Sequence, residues 1–326
     1  MKRGIEMKNV KSVSSLERNA RNRKKVQSFG RHMKRFYWLY IFLLPGLMCM
    51  ILFKFMPMYG LQIAFRDYSI VKGIWGSEWV GLKHFRDLFR SVNFLTVLKN
   101  SIVTSALSLL WSFPAPIILA LLLNEMRNIT YKRTLQTIIY LPHFISWVIV
   151  VTIVTGLLSQ SNGIINNLIV ALGGEKINFL TSTKWFRTVL IGSQIWKEAG
   201  WGTIIYMAAL AGVDVQLYEA AEIDGANRWH KMRYITFPCI AGTVAIMLIM
   251  KMGHVLNNGF EQIWLLMNAP NKEVANVLET YSYQIGLRDG KYSFASAIGF
   301  FQSFVGMIMV FTSNFLSKRA GGKGLW

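Results

Sequence analysis

The chain has 326 residues, of which 53% are apolar and only 16% charged, and it carries a formal net charge of +20. The apolar residues run in long blocks instead of recurring as a core-facing stripe, which excludes an ordinary soluble domain and places the protein in a membrane. Its two cysteines, Cys49 and Cys239, build neither a disulfide framework nor a zinc site and read as small buried hydrophobes.

Residues 1–35 hold 12 Lys and Arg and read as a basic cytoplasmic tail lying against anionic lipid headgroups, not as a nucleic-acid arm. A helix rises about 1.5 Å per residue, so a hydrocarbon core of about 30 Å takes about 20 apolar residues. Blocks of that length predict spans at about 36–56, 100–124, 135–158, 187–213, 237–257 and 292–316, the fourth interrupted by Lys197-Glu198 and the fifth by Lys251. The first block ends in Lys54-Phe55-Met56-Pro57, with no small-residue cleavage site, so it is not a removable signal. No alternating strand pattern is present, and helices keep their backbone bonding internal, so an all-α bundle of six spans is expected. The residues from Gly81 to Phe89 put Leu82, Phe85, Leu88 and Phe89 on one face, an interfacial helix or a small outer cap. Pro114 and Pro116 predict a kink in the second span. His143, after Pro142, reads as a structural hydrogen-bonder or as a proton relay.

With the N-terminus inside, the cytoplasmic segments hold 21 of the 36 Lys and Arg and the outer segments 12. That asymmetry sets both termini and the loop at 214–236 on the cytoplasmic side. The outer segments 159–184 and 258–291 then lie where a soluble delivery protein docks, and 36–316 form one membrane domain followed by a cytoplasmic tail, 317–326.

Within the 214–236 loop, Asp214 is placed to cap a helix beginning at Val215, and Gly225 supplies a positive φ that reverses the chain. Pro238 then opens the next span. Glu219, Ala220, Ala221, Asp224, Gly225 and Ala226, with Ile235 and Pro238 in register, resemble the "EAA" loop of the permease subunits of binding-protein-dependent ABC importers. Phe237 stands where that family usually has Leu, and Val215 where it often has Pro. A narrower resemblance, carried by Pro57 to Arg66 and by Trp79 to Leu82, is to the branch of carbohydrate permeases importing oligosaccharides derived from complex polysaccharides.

The resemblance implies a six-helix, MetI-like (type I) permease bundle in the cytoplasmic membrane of a prokaryote, with no catalytic residue of its own. It implies four partners: a second homologous permease, a dimer of ATP-binding subunits, an extracytoplasmic solute-binding protein and a sugar substrate. Those eight loop residues would dock on the ATPase. No Walker-type G-x-x-x-x-G-K-[ST] occurs, so ATP and magnesium belong to the partner, and no cofactor or metal is expected on this chain.

Ionisable residues inside a span are costly, which singles out Lys197 and Glu198. With Gln194, Trp196 and Trp201 they form a candidate substrate path, as hydrogen-bond donors and an aromatic platform suit sugars. Pairing of Lys197 and Glu198 with neighbouring helices as structural glue is the equal alternative. Asn257 and Asn258 read as path lining or as caps, and Lys251 as a side chain that snorkels. A permease for another small polar solute is a second reading. A membrane enzyme acting on lipid-linked sugars is the third, disfavoured because the five histidines are scattered with no H-E-x-x-H.

Overall fold

The computed structural model describes residues 35–319, 321, 324 and 325. The basic tail expected before residue 35 lies outside them, as does part of the C-terminal tail. The chain divides into two compact units, 1–61 and 62–326.

In the first unit, α1 (Tyr37–Met50) is built from uncharged apolar residues, and all of its side chains are exposed. It runs into a π turn (Ile51–Phe55) and then a short helix that takes Pro57 in its first turn, so helix persists to Phe65 instead of stopping at 56. The same device recurs twice in the second unit. A π turn at Ser108–Ser112 precedes Pro114, and another at Met232–Thr236 precedes Pro238. Proline cannot donate a backbone bond and its ring crowds the carbonyl four residues back. Widening the preceding turn to i→i−5 spacing, as in the Phe113 amide bonding the Ser108 carbonyl at 3.1 Å, accommodates both defects without ending the helix. The kink expected at Pro114 and Pro116 therefore takes the form of a π turn inside one continuous span.

In the second unit, a two-residue antiparallel ladder (β1, Arg66–Asp67, with β2, Glu78–Trp79) precedes α2 (Lys83–Arg90). α2 is a packed cap rather than a floating interfacial helix: Leu88 is fully buried in a cluster with Phe94, Leu256, Leu278 and Ile298, while Leu82 and Phe89 of the expected face stay exposed. The second span begins at α3 (Val92–Leu107), capped by the Ser91 hydroxyl, eight residues before hydropathy alone placed it, and continues as α4 (Pro114–Asn124). Polar Asn93, Lys99 and Asn100 hide its start from an apolar count without interrupting the helix.

The third span differs most from expectation. It is not one helix over 135–158 but two, α5 (Ile129–Tyr140) and α6 (Trp147–Leu158), bent by 104° across a 3₁₀ turn at Leu141–Phe144. Pro142 ends the first helix and Ser146, whose hydroxyl accepts from the Ile149 amide, starts the second. After α7 (Ile164–Ala171) come α8 (Thr183–Ala211), α9 (Val215–Ile223), the single turn α10 (Arg228–Lys231) and α11 (Phe237–Gly253). α11 stops at Gly253, so Asn257 and Asn258 lie beyond the fifth span, not on it. The segment 258–291 folds into α12 (Phe260–Leu266), α13 (Lys272–Ala275) and α14 (Leu278–Tyr283) before α15 (Tyr292–Arg319) closes the fold. Among the described residues, four helices are long and apolar enough to cross a membrane, or up to six if each bent pair forms one span.

Glycines set the close approaches. A Cβ at Gly200 on α8 would strike the Ile139 carbonyl of α5, one at Gly202 would sit 2.9 Å from Pro116 of α4, and one at Gly306 on α15 would strike the Gly253 carbonyl of α11. Small residues at helix crossings let apolar rods pack by contact where lipid offers no hydrophobic drive. The resulting α4–α8–α11 core holds Ile117, Ala120, Tyr206, Leu210 and Ile240.

Candidate functional site

Two places on the second unit concentrate the residues singled out in the sequence. The first is the loop between α8 and α11. α9 turns 71° away from α8, and the Asp214 carboxylate caps it by accepting from the Gln216 amide at 3.0 Å. At its other end Gly225 adopts φ +78°, with the Gly225 amide bonding the Glu222 carbonyl and the Ala226 amide the Ala221 carbonyl at 2.8 Å. Those two bonds form a Schellman cap, and only glycine enters that conformation without a penalty of about 1 kcal/mol or more.

No residue of α9 is buried, and Ile223, 87% exposed, points its side chain to the outside with Leu217 and Val215. Glu219, Ala220 and Asp224 are exposed too, and Glu219 makes no ion pair among the described residues. The return limb holds the loop in shape. The Lys231 ammonium pairs with the Glu222 carboxylate, the Tyr218 hydroxyl lies 3.0 Å from the Thr236 hydroxyl, and Asn227 caps α10. The Lys231 hydrogen bond, and then its charge, hold the Glu222 carboxyl below the ordinary carboxylate range. Ile235 and Pro238 lie on the π turn and first turn that carry the chain into α11.

The second place is the middle of α8, whose candidate residues separate by face. Lys197, 4% exposed, reaches into the break of the third span, where its ammonium donates to the carbonyls of His143 (2.6 Å), Ile145 (2.8 Å) and Pro142 (3.5 Å) and lies 5.3 Å from the Trp147 ring. The Pro142 carbonyl also takes the Ile145 amide at 3.2 Å, and at the 104° bend the buried cation serves as partner to the carbonyls of His143 and Ile145. Lys197 thus ties α8 to the break in the third span.

The Glu198 carboxylate lies between Lys197 and His143, 3.7 Å from Lys197 Nζ and 2.8 Å from His143 Nδ1, while the His143 ring stacks flat on Trp201 at 4.5 Å. Gln194, four residues earlier, accepts from the hydroxyls of Ser108 (3.2 Å) and Ser112 (3.1 Å). Gln194 and Glu198 share one wall of a cavity of about 440 Å³ with Ser112, Tyr206, Lys251 and His254. Trp196 projects elsewhere, into an apolar groove with Ile153, Leu157, Phe179 and Trp185, so it does not join Trp201 in one platform. Successive helix positions turn by 100°, which is why neighbours in sequence part company here.

Asn258 is buried: its amide donates to the Ser101 carbonyl and the Ser105 hydroxyl (2.8 Å), and its backbone N–H donates to Glu279. Asn257 is exposed. Burial raises the Glu279 carboxyl above the usual range, against the pull of the backbone amides of Asn258 and Gly259. Sequence reasoning missed the polar stitching of the 258–291 segment. Asn100 donates to the carbonyls of Glu273 (2.7 Å) and Asn276 (3.1 Å) and accepts from Arg187. Asn271, fully buried, donates to those of Leu180 and Leu266, and Gln262 bonds the Leu190 carbonyl and the Ser193 hydroxyl. The only signal was the density of Asn and Gln beside apolar blocks. No group of three or more His, Cys, Asp or Glu able to hold a metal occurs among the described residues.

A multi-pass, all-α chain with spans broken and fastened inside the bundle, and a capped helix standing clear of it between two spans, has the build of an ABC-importer permease. Residues 112–320 match the binding-protein-dependent transport system inner membrane component family, and the chain belongs to it. Over 294 residues it is 48% identical to protein LplB of Bacillus subtilis (strain 168), covering 90% of this chain and 92% of that one. It is 51% identical over 289 residues to the polygalacturonan/rhamnogalacturonan transport system permease protein YteP of the same organism, covering 89% and 90%. A chain of a bacterial alginate ABC transporter, solved in complex with an alginate pentasaccharide-bound periplasmic protein, superposes with a TM-score of 0.82 at 42% identity, covering 90% of this chain and 99% of that one.

Proposed function

We propose that this permease carries oligosaccharides released from a polysaccharide across the cytoplasmic membrane of a prokaryote, powered by ATP hydrolysis on partner subunits. The observation that carries the reading is α9: a helix capped at both ends, with none of its residues buried, held rigidly by its return limb. A nine-residue helix is marginal alone in water, so one that is preformed and uncovered fits a waiting surface. The exposed Glu219, Ala220 and Asp224, with half-buried Ala221, would enter a cleft on a cytoplasmic ATPase dimer that binds ATP and magnesium, and closure of that dimer would tilt α8 and α11, which flank the loop. This orientation puts both termini and the loop at 214–236 inside. A second homologous permease would complete the pore, and a solute-binding protein outside would deliver the sugar.

The sugar class rests on the relatives, one named for polygalacturonan and rhamnogalacturonan and one solved as an alginate transporter. The path proposed for this chain is the cavity lined by Gln194, Glu198, Lys251 and His254, with Trp201 at its edge through His143. Purification of the tagged chain from its native membrane is expected to bring down an ATPase and a second permease. Reversal of charge in Glu219→Lys is expected to abolish both that association and uptake while membrane insertion continues. Retention of the ATPase by the Glu219→Lys variant, with normal uptake, would refute the docking role.

A further inference from the structure

We propose that Lys251 reads the carboxylate of an acidic sugar as it passes through the cavity between α4, α8 and α11. The inference rests on the proposed function above and deepens it, because it assigns the charge class of the substrate to one side chain. Lys251 is the single charged residue in the 17 of α11 and lies in its last turn, half-buried, on the wall of the 440 Å³ cavity. It also borders the adjoining small polar pocket lined by Ser105, Ser108, Gln194 and Asn258.

Lys251 has no ion pair and no hydrogen bond among the described residues. The carboxylate whose charge reaches it is Glu198. That carboxylate is already engaged, 2.8 Å from His143 Nδ1 and 3.7 Å from Lys197 Nζ, and forms no salt bridge with Lys251. Of the acceptors around the ammonium, Gln194 Oε1 is taken by Ser108 and Ser112 and His254 Nδ1 lies 3.2 Å from the Met250 carbonyl, while Asn258 Oδ1 on the adjoining pocket wall is neutral and has no hydrogen bond to Lys251. An ammonium inside a span without a counter-ion is expensive, and the cost falls when a mobile anion enters. Comparison with Lys197 on the facing helix sharpens the point: that lysine, buried at 4% exposure, is satisfied by three carbonyls. A uronate offers the missing partner, since its carboxylate accepts charge-assisted bonds that a neutral sugar cannot provide.

The test uses the whole importer, with its partner subunits and solute-binding protein, in proteoliposomes. Uptake is measured for trigalacturonate and for the same trisaccharide with its carboxylates methyl-esterified, which removes only the charge. The binding protein is common to every arm, so its own preference cancels when variants of this chain are compared. Lys251→Met and Lys251→Gln are expected to lower kcat/KM for the acid about tenfold more than for the ester, and Lys251→Arg to keep the wild-type acid-to-ester ratio within about twofold. An unchanged ratio in Lys251→Met and Lys251→Gln, or equal loss of both substrates, overturns the proposal. To separate it from the path reading, Met250→Cys in a background with Cys49 and Cys239 replaced by Ser is treated with a bulky thiol reagent. Block of both substrates upholds the cavity as the path whatever Lys251 does, and free passage of both overturns the path and the Lys251 assignment together.

Discussion

The two connections that flank α11 have opposite constructions. Before it, the 214–236 loop buries nothing along α9 and spends its hydrogen bonds on its own ends. After it, the 258–291 segment is threaded through the bundle, with α12 against α6 and α8 and α14 against α3 and α15; Gln262 grips the Leu190 carbonyl of α8, Asn271 that of Leu180, and Asn100 of α3 the Glu273 carbonyl of the segment. A connection that makes its own shape can be moved as a unit by something outside; one whose shape is borrowed from its surroundings moves only with them. On the proposed function, the first is suited to mechanical input and the second to keeping the membrane domain rigid.

Substitutions break this contrast in graded ways. The largest effect is expected from Gly225→Val, which forces a β-branched residue into φ +78° and dissolves the Schellman cap. Uptake is expected to vanish while the amount of inserted protein stays normal, as read by transport assay and membrane immunoblot together. Next comes Asn271→Ala, which strands the Leu266 carbonyl and the Asn268 amide and takes one of two donors from the Leu180 carbonyl. It is expected to lower the stability of the detergent-solubilised protein by about 1–3 kcal/mol per uncompensated group and to open 258–291 to protease, leaving the loop at 214–236 unaltered. A smaller loss, about 0.5–1.5 kcal/mol, is expected for Tyr218→Phe, which deletes the hydroxyl contact to Thr236; amide exchange across α9 is the measurement.

The smallest concerns Glu222. Its folded carboxyl titrates below the ordinary value because Lys231 binds the ionised form, so the contribution to loop stability is complete above the ordinary carboxylate range. It is lost as pH falls through the lowered folded value. Exchange protection of α9 is expected to drop over that acid window in the wild type and to be flat there in Glu222→Gln, with salt narrowing the gap between them.

The loop was legible because every device in it is local. Asp214, Gly225 and Pro238 act within a few residues of themselves, and a cap or a positive φ is written at the position that needs it. The threaded segment was not legible, since Asn100 finds a partner 173 residues away and Asn271, besides its local bonds to Asn268 and Leu266, one 91 residues away. Lys197 shows the intermediate case. Its cost inside a span was apparent from sequence, but its remedy lay at a break in the third span that an apolar count ran straight through. Gln194 and Glu198 do share a cavity wall, whereas Trp196 was grouped with them by proximity in sequence and stands on another face.

The π turns that precede Pro57, Pro114 and Pro238 have a further effect on how the rods are aimed. Each lodges one surplus residue in the winding, which swings everything downstream by about 100° around the axis. Val92–Leu107 and Pro114–Asn124 are thus two sectors on a swivel, each free to choose its own neighbours. Losing a single residue from Ser108–Ser112 would rotate Ile117, Ala120 and Leu123 off their seat while the preceding sector kept its own. The phase of these rods is stored at the swivel, and a wheel drawn through the whole span from either end is wrong on the far side.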